Sequence, residues 1–370
     1  MIQWHPSDPA EMIVGYLLLG VFAKCGYSCS PRQGDSCPPQ PGAPAPNVTL
    51  VQGLDTAVLI TGGFTDESPY RLTSVEVYPH TSCCSPPPLP DERVSHTTFL
   101  TSEPNPVIAT CGGSWSYATE VCFVLDQSNQ RWDESRMGDL TMPRMGAAVA
   151  TLNYVGVFII GSDVIGYGSN EERTSDFLAA GSMQWQEGPA LPVDMHTACA
   201  VDITPTSFLA ISDNHILEFD AALAGPTSSE GWRHAGRWPR LKTGRAYQPG
   251  CAKIGQKVII AGGYSGGAFL RSTEVLHLGS RQISAGPEMT SPRYRFHLTT
   301  IRRRGVEKVF ALGSRGVIAL DSSEAPCLNT VEELVEVGGS TTWKRANSFL
   351  AQRRCHFGAV TVPQEFICPV

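Results

Sequence analysis

Arginine is the residue type in this sequence best suited to bind a ligand. Arginines recur shortly before segments of small residues such as HTTFL (96–100) and GAAVAT (146–151). A guanidinium group presents a fixed fork of donors that matches the oxygens of carboxylates, sulfates and phosphates. Because the whole chain has a formal charge of −7, this local excess of cations predicts a site for an acidic peptide or an anionic glycan. The cations at these places are Arg93, Arg144, Arg240, Lys242, Arg245, Arg293, Arg295, Arg353 and Arg354.

Two tyrosines stand beside these arginines and are expected to frame a bound ligand. The candidate binding residues are therefore Arg93, Arg144, Arg245, Tyr247, Arg293, Tyr294 and Arg353. The competing interpretation is that many of the arginines pair with acids of neighbouring loops. The acids considered are Asp66, Glu67, Glu171 and Glu172.

Four histidines share one position relative to the small-residue segments: His96, His196, His297 and His356. Imidazole is a common ligand of zinc, copper, iron and nickel, so four rings around one centre suggest a metal site. The alternative is that the rings donate hydrogen bonds inside the fold. We favour the alternative and expect neither a metal nor a cofactor.

The chain has twelve cysteines, and none has the CxxC spacing of a zinc ribbon. Together with the single glycosylation sequon at Asn47, they favour an oxidising compartment and a secreted protein. A cytosolic protein with buried thiols, for example Cys199 and Cys251, is the competing interpretation. Cys111 and Cys122 flank a short loop between two strands, which predicts a disulfide between them. Cys368 is a further candidate for pairing with the N-terminal cysteines.

The N-terminal segment differs from the rest of the chain. MIVGYLLLGVFA (12–23) is apolar but shorter than the roughly 20 residues that span a bilayer, so residues 1–29 resemble a secretory signal peptide and no membrane span is expected. Asp8 and Glu11 fit this interpretation poorly, and initiation at Met12 would remove them. Residues 30–46 are rich in proline and predict an extended linker.

The elements that position these side chains form a repeat. A buried strand ends on glycine or a small residue near positions 62, 112, 161, 212, 262 and 313, at a spacing of about 50 residues. Each copy continues with a second strand and a short strand that often begins with tryptophan. A proline- or arginine-containing turn then leads into the strand of small residues. The pattern predicts six units of four strands.

This organisation resembles the kelch-repeat family. The paired glycines at 62–63, 112–113 and 262–263, the aromatic residue after a pair and the spaced Trp132, Trp185, Trp232 and Trp343 carry the resemblance. It implies an all-β fold, a six-bladed β-propeller over residues 47–370 with four-stranded antiparallel blades. Either HFGAVTV (356–362) or NVTLVQG (47–53) would complete the first blade and close the ring.

A propeller of this kind hosts unrelated functions, so the function class depends on the site. Intracellular kelch adaptors of ubiquitin ligases are similar in using arginines for acidic peptides, but they normally carry BTB and BACK domains, which the 46 residues before the repeats are too few to form. Enzymes related to galactose oxidase or to kelch-type epimerases are a weaker alternative, because no catalytic motif matches. We expect a non-catalytic extracellular recognition module. The negative charge argues against nucleic acid, and the oligomeric state is open.

Overall fold

The computed structural model describes residues 55–80, 85–114, 117–163, 171–233, 236–246, 248–316 and 326–367. The predicted signal segment (1–29), the linker (30–46), the sequon at Asn47, Tyr247 and Cys368 lie outside the described residues.

The described chain is almost entirely β-structure. The first twelve strands are β1 (Thr56–Thr61), β2 (Val75–Tyr78), β3 (Thr97–Leu100), β4 (Ile108–Cys111), β5 (Cys122–Asp126), β6 (Arg131–Asp133), β7 (Ala148–Leu152), β8 (Gly156–Ile160), β9 (Ser175–Ala179), β10 (Trp185–Glu187), β11 (Cys199–Thr204) and β12 (Ser207–Ser212). The other twelve are β13 (His215–Asp220), β14 (Gly250–Ile254), β15 (Lys257–Ala261), β16 (Tyr264–Ser265), β17 (Ala268–Phe269), β18 (Thr273–His277), β19 (Gln282–Ala285), β20 (His297–Arg303), β21 (Val306–Arg315), β22 (Cys327–Val337), β23 (Ser340–Arg345) and β24 (Gly358–Pro363).

Helical structure is limited to short segments. Within the described residues there are two α-helices of four residues each and three 3₁₀ turns: Ala221–Ala224, Gln364–Ile367, Glu134–Arg136, Glu171–Arg173 and Ser229–Gly231. In the described residues no helix has the length and apolarity needed to cross a bilayer.

The strands form six antiparallel blades, which confirms the predicted six-bladed propeller. From the central axis outwards, blade one is β24-β1-β2, blade two β3-β4-β5-β6 and blade three β7-β8-β9-β10. Blade four is β11-β12-β13, blade five β14-β15-β18-β19 and blade six β20-β21-β22-β23, and β16-β17 is a separate hairpin. In blade four the outer strand is reduced to one bridge between Phe219 and Trp232. Residues 81–84, which follow β2 of blade one, lie outside the described residues.

The C-terminal strand closes the ring. β24 pairs with β1 over six residues, from Thr56 opposite Pro363 to Thr61 opposite Gly358. Of the two segments that the sequence left open, HFGAVTV therefore supplies the inner strand of blade one.

Glycine ends the second strand of a blade because the neighbouring blade lies too close for a side chain. Gly112 has a φ of +71°, and a Cβ atom there would lie 2.7 Å from the carbonyl oxygen of Arg144, in the next blade. Both the backbone conformation and the close approach therefore exclude larger residues. Between these contacts, apolar clusters fill the space from blade to blade, and Trp132 and Trp343 are buried in two of them.

Candidate functional site on the loop face

The loops that lead into the inner strands and the loops that follow the glycines lie on one side of the propeller. In blade two, for example, Thr97 at the start of β3 is opposite Cys111 at the end of β4. Because every blade repeats this antiparallel register, both sets of loops meet at the same edge. We call this side the loop face.

The structure corrects the prediction that these arginines bind a ligand, because most of the predicted arginines are buried. Arg93, Arg144, Arg245 and Arg293 are only 0–2% exposed. In blade one the equivalent buried residue is Arg354, and the predicted Arg353 is exposed. The buried side chains join blades together, and a ligand on the loop face would not reach their guanidinium groups.

Arg144 shows how such a joint is built. Its Nη1 donates to the carbonyl oxygens of Gly161 (3.0 Å) and Thr174 (3.2 Å) in blade three, and its Nε donates to the carboxylate of Asp176 on β9. Its own carbonyl oxygen accepts the N–H of Gly113 in blade two at 2.7 Å. One residue thus ties the glycine site of one blade to that of the next. We call this arrangement the arginine clamp.

The clamp recurs around the ring with an acid from the third strand. The pairs are Arg144–Asp176, Arg245–Glu274, Arg293–Glu332 and Arg354–Glu76. Burial lowers the pKa of the Arg245, Arg293 and Arg354 side chains from the usual value, and the paired glutamate opposes that shift in each case. An arginine remains charged under these conditions, so each clamp is a buried ion pair.

Blade two has a variant of the clamp. The third-strand position is occupied by Phe123, and the guanidinium of Arg93 lies 4.6 Å from the centre of its ring. Asp91, two residues before the arginine, supplies the carboxylate at 2.7 Å. The donors still reach the carbonyl oxygens of Gly112 and Val121.

Two of the acids that the sequence suggested as partners have other contacts. Asp66 accepts the N–H of Cys327, and Glu172 lies 2.8 Å from His196. The true partners had a sequence signal: an acid recurs in the third strand, in VEVY, SDFLA, TEVLH and VEELVEV.

The four histidines do not converge on one centre. His96 accepts the N–H of Gly358 at 3.2 Å and lies 2.8 Å from the hydroxyl of Thr61, so it holds the closing strand in place. Burial and the nearby arginines lower its pKa to about 3. His196 is exposed on the loop face. Burial lowers the pKa of His297 to about 4. Among the described residues no cluster of three or more metal-ligating side chains occurs.

A ring of left-handed residues surrounds the mouth of the central channel on the loop face. Two positions before each inner strand, φ lies between +34° and +60° in all six blades: Ser95, Gly146, Thr197, Gln248, Arg295 and His356. Backbone bonds connect neighbours in this ring, from Gly146 to Ser95 (2.7 Å), from Ser95 to His356 (2.7 Å) and from His356 to Arg295 (3.2 Å). Because only one of the six residues is glycine, the sequence did not reveal this mouth ring.

An ion pair joins two opposite blades at the mouth ring. Arg295 of blade six donates to the carboxylate of Asp163 in blade three, and both side chains are less than one-fifth exposed. Its other terminal nitrogen lies 2.9 Å from Nδ1 of His356. Since blades three and six lie opposite each other in a six-fold ring, this pair narrows the channel at the loop face.

Aromatic rings form a continuous band on the loop face across blades five, six and one. Tyr264 and Phe269 have centroids 5.6 Å apart, and Phe269 stacks on Tyr294 at 4.4 Å with an interplanar angle of 3°. Phe64 and Tyr70 stack at 6.5 Å in blade one.

Arg315 connects the two parts of the aromatic band. Its backbone pairs with that of Tyr294, and its guanidinium lies 6.0 Å from the centre of the Phe64 ring. Beside Phe64 and Tyr70 is a cavity of ≈ 450 Å³ whose wall also includes Arg71 and Glu92. The exposed Arg353 precedes Cys355, whose carbonyl oxygen accepts the N–H of Phe64. Of the predicted binding residues, the structure thus brings Tyr294 and Arg353 towards one surface.

Three disulfides occur in the described chain. Cys111–Cys122 confirms the predicted pair within blade two. Cys199–Cys251 joins the inner strands of blades four and five, and Cys327–Cys355 joins blades six and one. The alternative in which Cys199 and Cys251 are free thiols is therefore wrong.

No family model matches this chain, and no curated protein matches it in sequence.

Proposed function

We propose that this protein is a secreted, non-catalytic recognition module of the kelch type. Its ligand is an acidic peptide or an anionic glycan that lies across the aromatic band. The proposal rests on the continuity of the band over three blades and on the exposure of Tyr70, which is 59% exposed. Large rigid rings next to cations are typical of binding surfaces.

Of the cations at this site, the sequence suggested Arg353 but not Arg71 or Arg315. Arg71, Arg315 and Arg353 lie at the band, and Arg71 is 41% exposed in a loose pair with Glu92 at 3.8 Å. A charge-assisted bond from such a side chain to a bound acid is worth about 1.5–3 kcal/mol. The buried clamps support the site indirectly, because they hold the loops that carry the rings.

The disulfides support an extracellular location. Three pairs in one chain favour an oxidising compartment over the cytosol, where thiols are kept reduced. The same observation argues against the alternative role as an intracellular substrate adaptor of a ubiquitin ligase.

Binding without catalysis is supported by the roles of the ionisable groups on the loop face. The arginines of the clamps and the imidazoles of His96 and His356 are buried in contacts that hold blades together. An enzyme related to galactose oxidase or to the epimerases would need such groups at a substrate. We therefore propose neither a metal nor an organic cofactor.

The experiment is a binding screen of the secreted protein against sulfated glycans, sialylated glycans and acidic peptides on an array. The Arg353→Glu and Tyr294→Ala variants are expected to reduce capture of the selected ligand at least tenfold. Arg303→Glu is the matched control, since this exposed arginine ends β20 on the side opposite the loop face. Equal capture by wild type and both band variants would refute the proposed site, and selection of cationic or neutral ligands alone would refute the ligand class.

A further inference from the structure

The axis of the propeller contains a cavity that the proposed function does not use. A larger space of ≈ 710 Å³ and a smaller one of ≈ 120 Å³ lie along the inner strands. Both are lined by Thr98, Ala200, His297 and Ala359, so they are successive parts of one channel. A volume of this size is typical of a small-molecule site, roughly 300–1,000 Å³.

The channel has a narrow end and a wide end. At the loop face the mouth ring and the Arg295–Asp163 pair narrow it. At the other side the larger cavity reaches Asn153 and Gly255, which lie in the turns between inner and second strands. A ligand would therefore enter from the side opposite the aromatic band, and the two sites are separate.

Charges at the wide end are balanced. Two acids and two bases line it: Asp202, Glu307, Lys253 and Arg302. Arg302 donates to Glu307, and the Lys253 ammonium donates to the carbonyl oxygen of Ile203 at 3.2 Å, next to Asp202. Because the four charges cancel, the opening does not favour a ligand of either sign.

The wall alternates hydroxyl groups with small apolar side chains. Six threonines line the larger cavity: Thr56, Thr98, Thr151, Thr299, Thr300 and Thr361. Val149, Ala200 and Ala359 lie between them. Hydroxyls of this wall already donate within the fold, for example Thr151 to Leu100 and Thr300 to Lys253, but their oxygens can still accept, so the wall suits a molecule that carries hydroxyls on an apolar carbon frame.

His297 provides a further polar group where the two cavities meet. Its imidazole makes no hydrogen bond within the described part of the chain, although it lines both cavities. Burial lowers the pKa of this ring to about 4, so at neutral pH the ring is uncharged, with one donor and one acceptor.

We propose that the channel binds a neutral polyhydroxylated molecule of the size of a monosaccharide or disaccharide. The hydroxyls of the ligand bond to His297 and to the threonine wall, and its carbon frame packs on the small apolar side chains. This inference is independent of the loop face, since no residue of the aromatic band lines either cavity.

The test uses D-glucose and maltose as neutral probes, with D-glucuronate and D-glucosamine as charged counterparts. Saturation-transfer NMR on the secreted protein is expected to show binding of a neutral probe and at least tenfold weaker binding of the charged ones. His297→Phe is expected to weaken the neutral probe at least tenfold. His277→Phe on β18 is the matched control and is expected to bind as the wild type does.

A second variant tests the threonine wall and leaves His297 unchanged. Thr299 and Thr361 bond to each other through their hydroxyls, so the double change Thr299→Val and Thr361→Val removes two polar groups without leaving one of them unpaired. This variant is expected to fold and to bind the neutral probe at least fivefold more weakly. Absence of neutral binding by folded wild type, equal binding of the charged probes, or full binding by the folded variants would overturn the proposal. The Tyr294→Ala variant must leave the saccharide signal unchanged, which distinguishes this site from the loop face.

Discussion

Blades three and four use different chemistry at the same two positions. In blade three these positions hold Arg144 and Asp176, which form a buried clamp. In blade four they hold Met195, four residues before the inner strand, and Leu217, opposite Ala210 on β12. Both members of the ion pair are thus replaced together, and both apolar residues belong to the core between the two blades.

Aromatic packing takes over where the clamp is absent. Phe158 of blade three lies 5.2 Å from Phe208 and 5.3 Å from Phe219 of blade four, centroid to centroid. Trp232 packs edge-on against Phe208 at 5.8 Å. Taking two charges out of water is costly, and well-packed apolar residues of similar volume are often equal or better for stability. The clamp is therefore one of two ways to join neighbouring blades. Its charges fix the positions of the loops more than they add to net stability.

We expect the greatest loss of stability when the arginine of a clamp is replaced and its acid is kept. Arg144→Met leaves the carboxylate of Asp176 buried without its cation, and such changes cost about 4 kcal/mol. Adding Asp176→Leu reproduces the chemistry of blade four and is expected to recover at least half of that loss. Urea unfolding of both variants measures the difference. A double variant no more stable than the single one would contradict the equivalence of the two joints.

The second prediction concerns the aromatic cluster between blades three and four. Phe208→Ala removes a fully buried ring from the cluster and is expected to lower the free energy of unfolding by about 3 kcal/mol. The loss should not depend on pH between 5 and 7, because no charge at that joint changes. Phe349→Ala, at an exposed ring, is the control and should cost less than about 0.5 kcal/mol. A loss as small at Phe208 would show that the aromatic cluster does not hold the joint.

The contacts that His96 makes with Thr61 and Gly358, between blades two and one, are expected to make the stability of the fold depend on pH. The folded chain depresses the pKa of His96 from 6.5 to about 3, so between those values the unfolded chain binds a proton that the folded chain excludes. Stability is therefore complete above pH 6.5 and falls as pH drops, by about 1.4 kcal/mol per pH unit for this group. At pH 5 the loss is about 2 kcal/mol. The free energy of unfolding of the His96→Gln variant should fall by about 1.4 kcal/mol less per pH unit than that of the wild type in this range. An equal dependence on pH in both proteins would contradict this role of His96.

The smallest effect concerns the mouth ring. Gly146 has a φ of +60°, and a Cβ atom there would lie 3.2 Å from the Thr197 side chain in blade four. Gly146→Ala is expected to cost about 1–2 kcal/mol. Gly255→Ala is the matched control, with a φ of +55° and open space around it. An equal loss of thermal stability in both would mean that the ring contact between blades three and four adds nothing to the backbone cost.

Short-range patterns in the sequence were sufficient to predict the fold. The candidate site depends on contacts between residues that are far apart in the sequence. The glycine spacing predicted the blades, because a glycine such as Gly112 meets the same steric need in five of the six repeats, with Ser212 at that position in blade four. The hairpin neighbours Cys111 and Cys122 were predictable for the same reason. The burial of Arg293 was not predictable, because its partner Glu332 lies 39 residues later in the sequence. The two side chains are buried together as an ion pair. The aromatic band likewise joins Phe64 and Tyr294 through a contact that no local pattern contains.

The pairing of β24 with β1 also has a consequence for biosynthesis. Thr61 and Gly358, which meet in that sheet, are separated by 297 residues. At typical translation rates, about 15 to 60 s pass between the synthesis of the first and the second. Throughout that interval β1 has an unpaired edge, which is the kind of edge that recruits strands from other chains. A nascent molecule of this protein therefore needs protection at one defined strand, and a chaperone that masks β1 should raise the yield of folded protein.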